Sequence, residues 1–243
     1  VVILKKNIMK LKSYYIILLG LILGISSCKK DNYEAPASTL KGRLLYNQEV
    51  INLQYNQVPF ELYQPGFGKT GPIASTFSQD GTYSTLLFDG SYKLIINPSQ
   101  GPFTWNKNAS GGVDSLAINV SGDQTLDLQV IPYYLVRNAA YSVAGNALTA
   151  NFSVDQIITG ANAKTIERVN LYINKTQFVS GNGDENIAGA DVAGSAITNP
   201  ASMSLTVTVP TISPVQNYVF ARVGVKISGV EDMIFSPLQK IQL

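Results

Sequence analysis

Asp80-Gly81-Thr82-Tyr83-Ser84-Thr85-Leu86-Leu87-Phe88-Asp89-Gly90-Ser91-Tyr92-Lys93-Leu94-Ile95-Ile96-Asn97 decides the fold class. Two Asp-Gly pairs bracket one run rich in aromatic and β-forming residues and introduce a second. A type I′ turn needs positive φ at both central residues, and Asp-Gly meets that need, so each pair is expected to close a tight hairpin. Past Gly90, Tyr92, Leu94 and Ile96 fall on one face of an alternating strand. The same period of two runs upstream through Leu40, Gly42, Leu44 and Tyr46, then Val58, Phe60 and Leu62. Downstream it continues in 115–120 and in 125–131, where Leu126, Leu128 and Val130 point inward. No helical stripe of useful length interrupts these runs, so 39–131 is expected to be a β-sandwich.

Ile131-Pro132-Tyr133-Tyr134-Leu135 joins this half to a second one. Pro132 lacks a backbone donor and has a fixed φ, which marks a sheet edge or a crossover. Beyond it, Leu148, Ala150, Phe152 and Val154 alternate, then Val169, Leu171 and Ile173, then Leu205, Val207 and Val209. Val219, Ala221, Val223, Val225 and Ile227 form the longest clean alternation in the chain. Residues 233–243, broken at Pro237, read as an edge strand. The expected architecture is all-β, with two tandem β-sandwich domains at 39–131 and 132–243, the second immunoglobulin- or fibronectin-III-like. With one cysteine in the chain, the disulfide-bonded antibody version is excluded. Residues 177–202 read as a long Gly/Ala/Asn-rich connection, the most unusual loop of the second domain.

Before the first strand lies a segment of another kind. Ile16-Ile17-Leu18-Leu19-Gly20-Leu21-Ile22-Leu23-Gly24-Ile25-Ser26-Ser27-Cys28 follows Lys5, Lys6, Lys10 and Lys12. About a dozen apolar residues are too few for a spanning helix, which needs roughly 20. A basic flank, a short apolar core and small residues before a processing point make 1–27 a secretory signal peptide. Met9 fits a translational start within it. Ile25-Ser26-Ser27-Cys28 looks like a bacterial lipobox, so Cys28 is expected to be acylated and to anchor the chain to a membrane. Residues 28–38, polar and carrying Pro36, then serve as a flexible tether.

Charge and composition exclude several classes of function. The chain carries 18 Lys+Arg against 16 Asp+Glu, but four of the lysines and no acid precede Cys28, which leaves 14 against 16 afterwards. The remaining basic residues are scattered, so the concentrated basic surface that nucleic-acid binding requires is missing. Histidine is absent, which removes the commonest general base and transition-metal ligand. Cys28 is committed to lipid, so no thiol nucleophile remains. The acids stand singly in turns (Asp80, Asp89, Asp184) or on strand faces (Glu61, Asp127), and no nucleophile, base and orienting group converge. The expectation is a protein that is not an enzyme and has no cofactor.

Leu40-Lys41-Gly42-Arg43-Leu44, Val58-Pro59-Phe60-Glu61-Leu62, Asp80-Gly81-Thr82-Tyr83 and Asp89-Gly90-Ser91-Tyr92-Lys93-Leu94 together resemble the carboxypeptidase-regulatory-like, transthyretin-type sandwich. With the lipobox and a following sandwich, the chain from residue 28 onward resembles the Bacteroidetes lipoproteins of domain of unknown function 3823. That resemblance implies a place beside SusC- and SusD-like glycan-import proteins and a part in polysaccharide capture. Lys30-Asp31, just after the lipidated cysteine, is similar to the Bacteroidetes signal for export to the outer face of the outer membrane.

Candidate binding residues follow from sugar chemistry, since aromatic rings stack on the C–H faces of sugars and amides bond their hydroxyls. Gly101-Pro102-Phe103-Thr104-Trp105-Asn106 offers Phe103, Trp105 and Asn106, with Asp114 nearby. Trp105 is the only tryptophan; it either stacks a sugar or fills the interface between the sandwiches. Tyr63 and Phe67, around Pro65-Gly66, form a second aromatic group, at a loop tip or in a structural turn. Asn182, Asp184 and Asn186 alternate like oxygen ligands for calcium, but they do not complete an EF-hand spacing, and a flexible polar loop is the reading preferred over a calcium site. Asp114-Ser115-Leu116 matches a short Bacteroidetes O-glycosylation pattern at Ser115. The function expected is a surface-exposed outer-membrane lipoprotein that binds polysaccharide or oligosaccharide for a SusC/SusD-type importer. The alternative is an envelope assembly protein that contacts other proteins and takes no small ligand.

Overall fold

Ser38–Tyr46 is the central strand of the N-terminal half in the computed structural model, which describes residues 34–66, 71–98, 100–105 and 115–243. Leu40, Gly42 and Leu44 are buried while Lys41 and Arg43 are exposed, the alternation expected of a one-sided strand. Thr82–Leu87 pairs antiparallel along one edge, and Gln124–Thr125 and Leu128–Gln129 pair parallel along the other. A second, antiparallel sheet runs Ile73–Thr76, Pro59–Tyr63, Gly90–Ile95, Leu116–Val120. Leu40, Leu44, Phe60, Leu62, Tyr92 and Leu94 are all buried by this half. Phe60, Phe77 and Tyr83 meet there with ring centroids 4.9–5.7 Å apart. The signal peptide, Cys28 and Lys30-Asp31 lie outside the described residues, as do Phe67, Asn106 and Asp114.

The two Asp-Gly pairs do not close hairpins. Ile73–Thr76 and Gly90–Ile95 belong to the second sheet, while Thr82–Leu87 between them belongs to the first. Asp80-Gly81 and Asp89-Gly90 are therefore corners at which the chain changes sheets. Gly81 (φ +71°) and Gly90 (φ +151°) take positive φ, but neither aspartate does. The carboxylates bond locally instead: Asp80 Oδ1 accepts from the Thr82 amide at 3.2 Å and its hydroxyl at 2.7 Å. Asp89 accepts from Ser38 Oγ and, at 3.0 Å, from the Gly122 amide, tying the corner to the first strand. The two-residue hairpin with positive φ at both positions is Asn47-Gln48 (φ +47° and +68°), between Tyr46 and Glu49.

In the C-terminal half, Tyr134–Ala144, Ala147–Gln156 and Met203–Thr208 form one antiparallel sheet. The other sheet runs Ala188–Ala193, Ile166–Asn174, Tyr218–Ile227, Ile234–Phe235 and ends on Asn52–Leu53, a strand supplied by the N-terminal half. Leu148, Ala150, Phe152, Val169, Leu171, Ile173, Val219, Ala221, Val223, Val225 and Ile227 are buried, as their periodicity predicts. The chain is thus all-β, and among the described residues the helical pieces are three 3₁₀ turns. Residues 177–202 are not one long loop. They contain Ala188–Ala193, paired along Ile166–Asn174, because small residues suit the close approach of Tyr172, whose ring would lie 3.0 Å from a Cβ at Gly189. Residues 233–243 are not a single edge strand either: Ile234–Phe235 is covered by Asn52–Leu53, and Gln239–Gln242 pairs with Tyr218–Ile227.

Residues 37–243 form one compact unit. Buried side chains run from Leu40 to Ile234 in a single cluster, so the two halves share a continuous core.

Candidate functional site

Tyr46 ends the first strand, and Asn47 opens the positive-φ hairpin after it. Phe103–Thr104 pairs antiparallel with Ile131–Pro132, placing Thr104 opposite Ile131 and delivering Trp105 beside them. Pro132 lies opposite Phe103 in this two-residue ladder, and the chain then passes into the C-terminal half at Tyr133. The Tyr133 amide donates to Pro102 O at 3.1 Å, and its carbonyl accepts from the Ile157 amide at 2.9 Å. The 3₁₀ turn Gly160–Asn162 brings Asn162 and Lys164 to the same place. Together these segments enclose a groove of about 1010 Å³ along the seam between the halves. That is at the upper end of the roughly 300–1,000 Å³ usual for small-molecule sites.

The walls of the groove combine two kinds of surface. Tyr46, Trp105 and Tyr133, all half-buried, contribute rings, and Ile131 is 50% exposed between them. Asn47, Gln129 and Asn162 contribute exposed amides. Burial pushes the Tyr133 phenol above its ordinary pKa, so it remains a neutral hydroxyl across the physiological range. Lys164 Nζ donates to Gly229 O at 3.2 Å and stands 5.5 Å from the Tyr133 ring centre, while Tyr134 Oη donates to Lys164 O at 2.6 Å. Backbone and amine of Lys164 are both held before any ligand arrives.

Trp105 packs on the shared core and also lines the groove. Phe103 is 5% exposed, with its ring over Gly101, and is not among the residues that line the groove. Tyr63 lies in the second sheet of the N-terminal half, opposite Lys93, and donates to Glu61 Oε2 at 2.7 Å; it is not among the groove residues. Ser115 is half-buried just before Leu116–Val120. In the 180s loop, Asn186 Nδ2 donates to Ser180 O and Asn182 O, both at 2.9 Å, and Ser180 Oγ bonds Glu185 Oε2. Asn186 is thereby the clamp of its own loop, directing nitrogen at backbone carbonyls. Among the described residues no group of three or more His, Cys, Asp or Glu could hold a metal ion.

Tyr46, Asn47, Tyr133 and Lys164 escape sequence reasoning because they come from three separate segments. The available signal was Tyr133 directly after Pro132, in the segment that joins the halves. A second depression, of about 650 Å³, is lined by Lys41, Arg43, Tyr55, Thr76 and Asp127. Its polar groups are largely spent on one another: Arg43 pairs with Asp127 at 2.9 Å, and Thr76 Oγ1 donates to Asn56 Oδ1 at 3.0 Å. The Arg43 guanidinium holds the Asp127 carboxyl below its ordinary pKa. Among the described residues, neither depression is lined by a pair of carboxylates.

Fold and groove define a class, the two-sandwich β-protein whose halves share a core and open an aromatic cleft along their seam. Residues 38–131 match the family described as "Protein of unknown function (DUF3823) N-terminal domain", and residues 134–240 match "Domain of unknown function (DUF3823_C)". The chain belongs to the DUF3823 family. Its relatives of known structure include a DUF3823 protein from Parabacteroides merdae, 32% identical, with a TM-score of 0.73 over 86% of this chain and 100% of that one. A second, from Bacteroides ovatus, is 28% identical with a TM-score of 0.72 over 85% and 99%. A Bacteroides uniformis protein described as a "putative carbohydrate binding protein" shares the fold at 19% identity, with a TM-score of 0.65 over 86% and 100%. No curated protein matches the chain.

Proposed function

We propose that this chain is a non-catalytic glycan-binding protein, acylated at Cys28, held on the outer-membrane surface and working beside a SusC/SusD-type importer. The observation that carries the reading is the seam groove, where Trp105, Tyr133 and Tyr46 supply stacking faces and Asn47, Gln129 and Asn162 supply donors and acceptors for hydroxyls. Aromatic plates with amides between them suit a polyhydroxylated ligand that has apolar faces. The carbohydrate binding named for the Bacteroides uniformis protein of the same fold agrees with this. The anchor rests on the lipobox at 25–28, and the importer on the family resemblance. Lipid holds the protein, the tether gives reach, and the groove captures.

Affinity electrophoresis of residues 29–243 through gels containing a broad set of polysaccharides tests the groove. Retardation by one or more polymers, abolished by Trp105→Leu with the thermal midpoint preserved, is the expected result. No retardation across the set, together with retention of membrane proteins in a pull-down, refutes glycan capture in favour of envelope assembly. Metabolic labelling with palmitate tests the anchor separately, and an unlabelled protein refutes it.

A further inference from the structure

Resting on the groove reading, we infer that the glycan it takes is acidic, with a carboxylate or sulfate group docking on Lys164. Among the described residues that line the groove, Lys164 is the one that is charged, and none carries a carboxylate. Sites for neutral sugars gain strong hydrogen bonds by directing Asp or Glu oxygens at paired hydroxyls, and the described lining of this groove has none to direct. The two acids nearest in sequence to lining residues are both paired: Glu49 bonds Arg137, which also pairs with Asp155 at 3.4 Å, and Asp127 pairs with Arg43 at 2.9 Å. A ligand anion in the groove therefore meets a cation and no opposing charge from the described residues of its walls.

The geometry also favours an anion over a fortuitous contact. Nζ is fixed from two sides, by Gly229 O at 3.2 Å and by the Tyr133 ring, so little side-chain entropy remains to be lost when it is engaged. One of its three donors goes to Gly229 O, which leaves two for a ligand oxygen. Tyr133 thus has two roles, as a stacking face for the ring and as a support for the cation that reads its acidic substituent. Overall charge gives no such attraction, because from Cys28 onward the chain carries 14 basic against 16 acidic residues. Any preference for polyanions must be local.

The test uses residues 29–243, which include the whole compact unit, in gels containing polygalacturonate, dextran sulfate or neutral dextran. Retardation by an anionic polymer and not by dextran is expected; which anionic polymer acts tells carboxylate from sulfate. Lys164→Gln should raise the dissociation constant about tenfold, roughly one charge-assisted hydrogen bond at a partly exposed site. Lys164→Arg should retain binding, and Lys93→Gln, an exposed cation of the N-terminal half, should change nothing. Raising salt from 50 to 500 mM should weaken the parent protein more than Lys164→Gln. If neither anionic polymer retards the protein, or Lys164→Gln binds as the parent does, the acidic ligand is refuted. The groove itself survives that result if Trp105→Leu still abolishes binding to a neutral polymer, and falls if it does not.

Discussion

Arg222 shows how much one residue can depend on sequence-distant partners. It lies on the outward-facing set of Tyr218–Ile227, where alternation assigns it to solvent, yet it is 1% exposed. Nη2 donates to Leu53 O at 2.8 Å and Nη1 to Gln79 Oε1 at 3.3 Å, partners 169 and 143 positions away, and the guanidinium lies 3.9 Å from the Phe235 ring centre. Nε has no partner, and desolvation draws the pKa down to about 9. A buried charge so incompletely paired contributes more through packing and cross-seam bonding than through its charge. Arg222→Ala should therefore cost about 3–4 kcal/mol in chemical denaturation, from the cavity and stranded acceptors, and Arg222→Met less than about 1.5 kcal/mol. Asp232, 7% exposed, is penalised differently: burial first, and the adjacent Glu231 charge second, raise its carboxyl to about 6, against the partial relief of Lys226. The folded state then binds more protons than the unfolded between 3.8 and about 6. Its contribution is intact below about pH 4 and is lost as pH rises through 6. Asp232→Asn should match the parent near pH 4 and exceed it by about 1–3 kcal/mol above pH 7, as read from urea midpoints across that range.

At the scale of the element, strands were legible wherever one face alone meets the core, because period two then maps directly onto burial. Ser38–Tyr46 and Ala147–Gln156 are of this kind. Tyr134–Ala144, the longest strand, was not, because its register shifts between Arg137 and Ala140 at Asn138 (φ +53°) and breaks the alternation. Turn composition misleads where something other than a hairpin satisfies it, as at Asp80-Gly81 and Asp89-Gly90, whose carboxylates bond to their surroundings. The groove was legible only as Trp105, since a site assembled from separate segments leaves no local spacing to find. The hairpin that does require two positive φ values carries Asn47-Gln48, and glutamine has no local side-chain bond that favours φ +68°. Gln48→Gly should stabilise the protein by about 0.5–1 kcal/mol, the relieved strain outweighing the added freedom of the unfolded chain. Differential scanning calorimetry should show a rise of about 1–4 °C, given about 2–4 °C per kcal/mol for a unit of this size. Because Asn47 lines the groove, unchanged glycan retardation in the same variant would show that the effect is confined to the turn.

For the whole molecule, the question is whether two family-defined segments, 38–131 and 134–240, behave as two bodies. Strand pairing, side-chain hydrogen bonds, an ion pair and ring packing all cross the seam. Asn52–Leu53 completes the sheet of the other half, with Leu53 opposite Ile234 and its amide donating to Gln79 O at 3.1 Å. Gln79 Nε2 donates to Gln177 O at 2.9 Å, Arg137 bonds Glu49, and Tyr55 packs on Phe178 at 4.8 Å. Phe235 closes over both Arg222 and Gly224, where a Cβ would lie 2.6 Å from its ring. Removing the N-terminal half would take away the strand paired with Ile234–Phe235 and leave the Arg222 guanidinium without either acceptor. Residues 37–243 should therefore unfold in one transition, with calorimetric and van't Hoff enthalpies equal. Leu53→Pro, which deletes the amide bonded to Gln79 O, should lower that single midpoint without splitting it. The isolated segment 134–243 should expose apolar seam surface and aggregate or melt far below the parent. Two resolved transitions, or an isolated C-terminal segment as stable as the whole, would establish independent domains and remove the rigid seam on which a preformed groove depends.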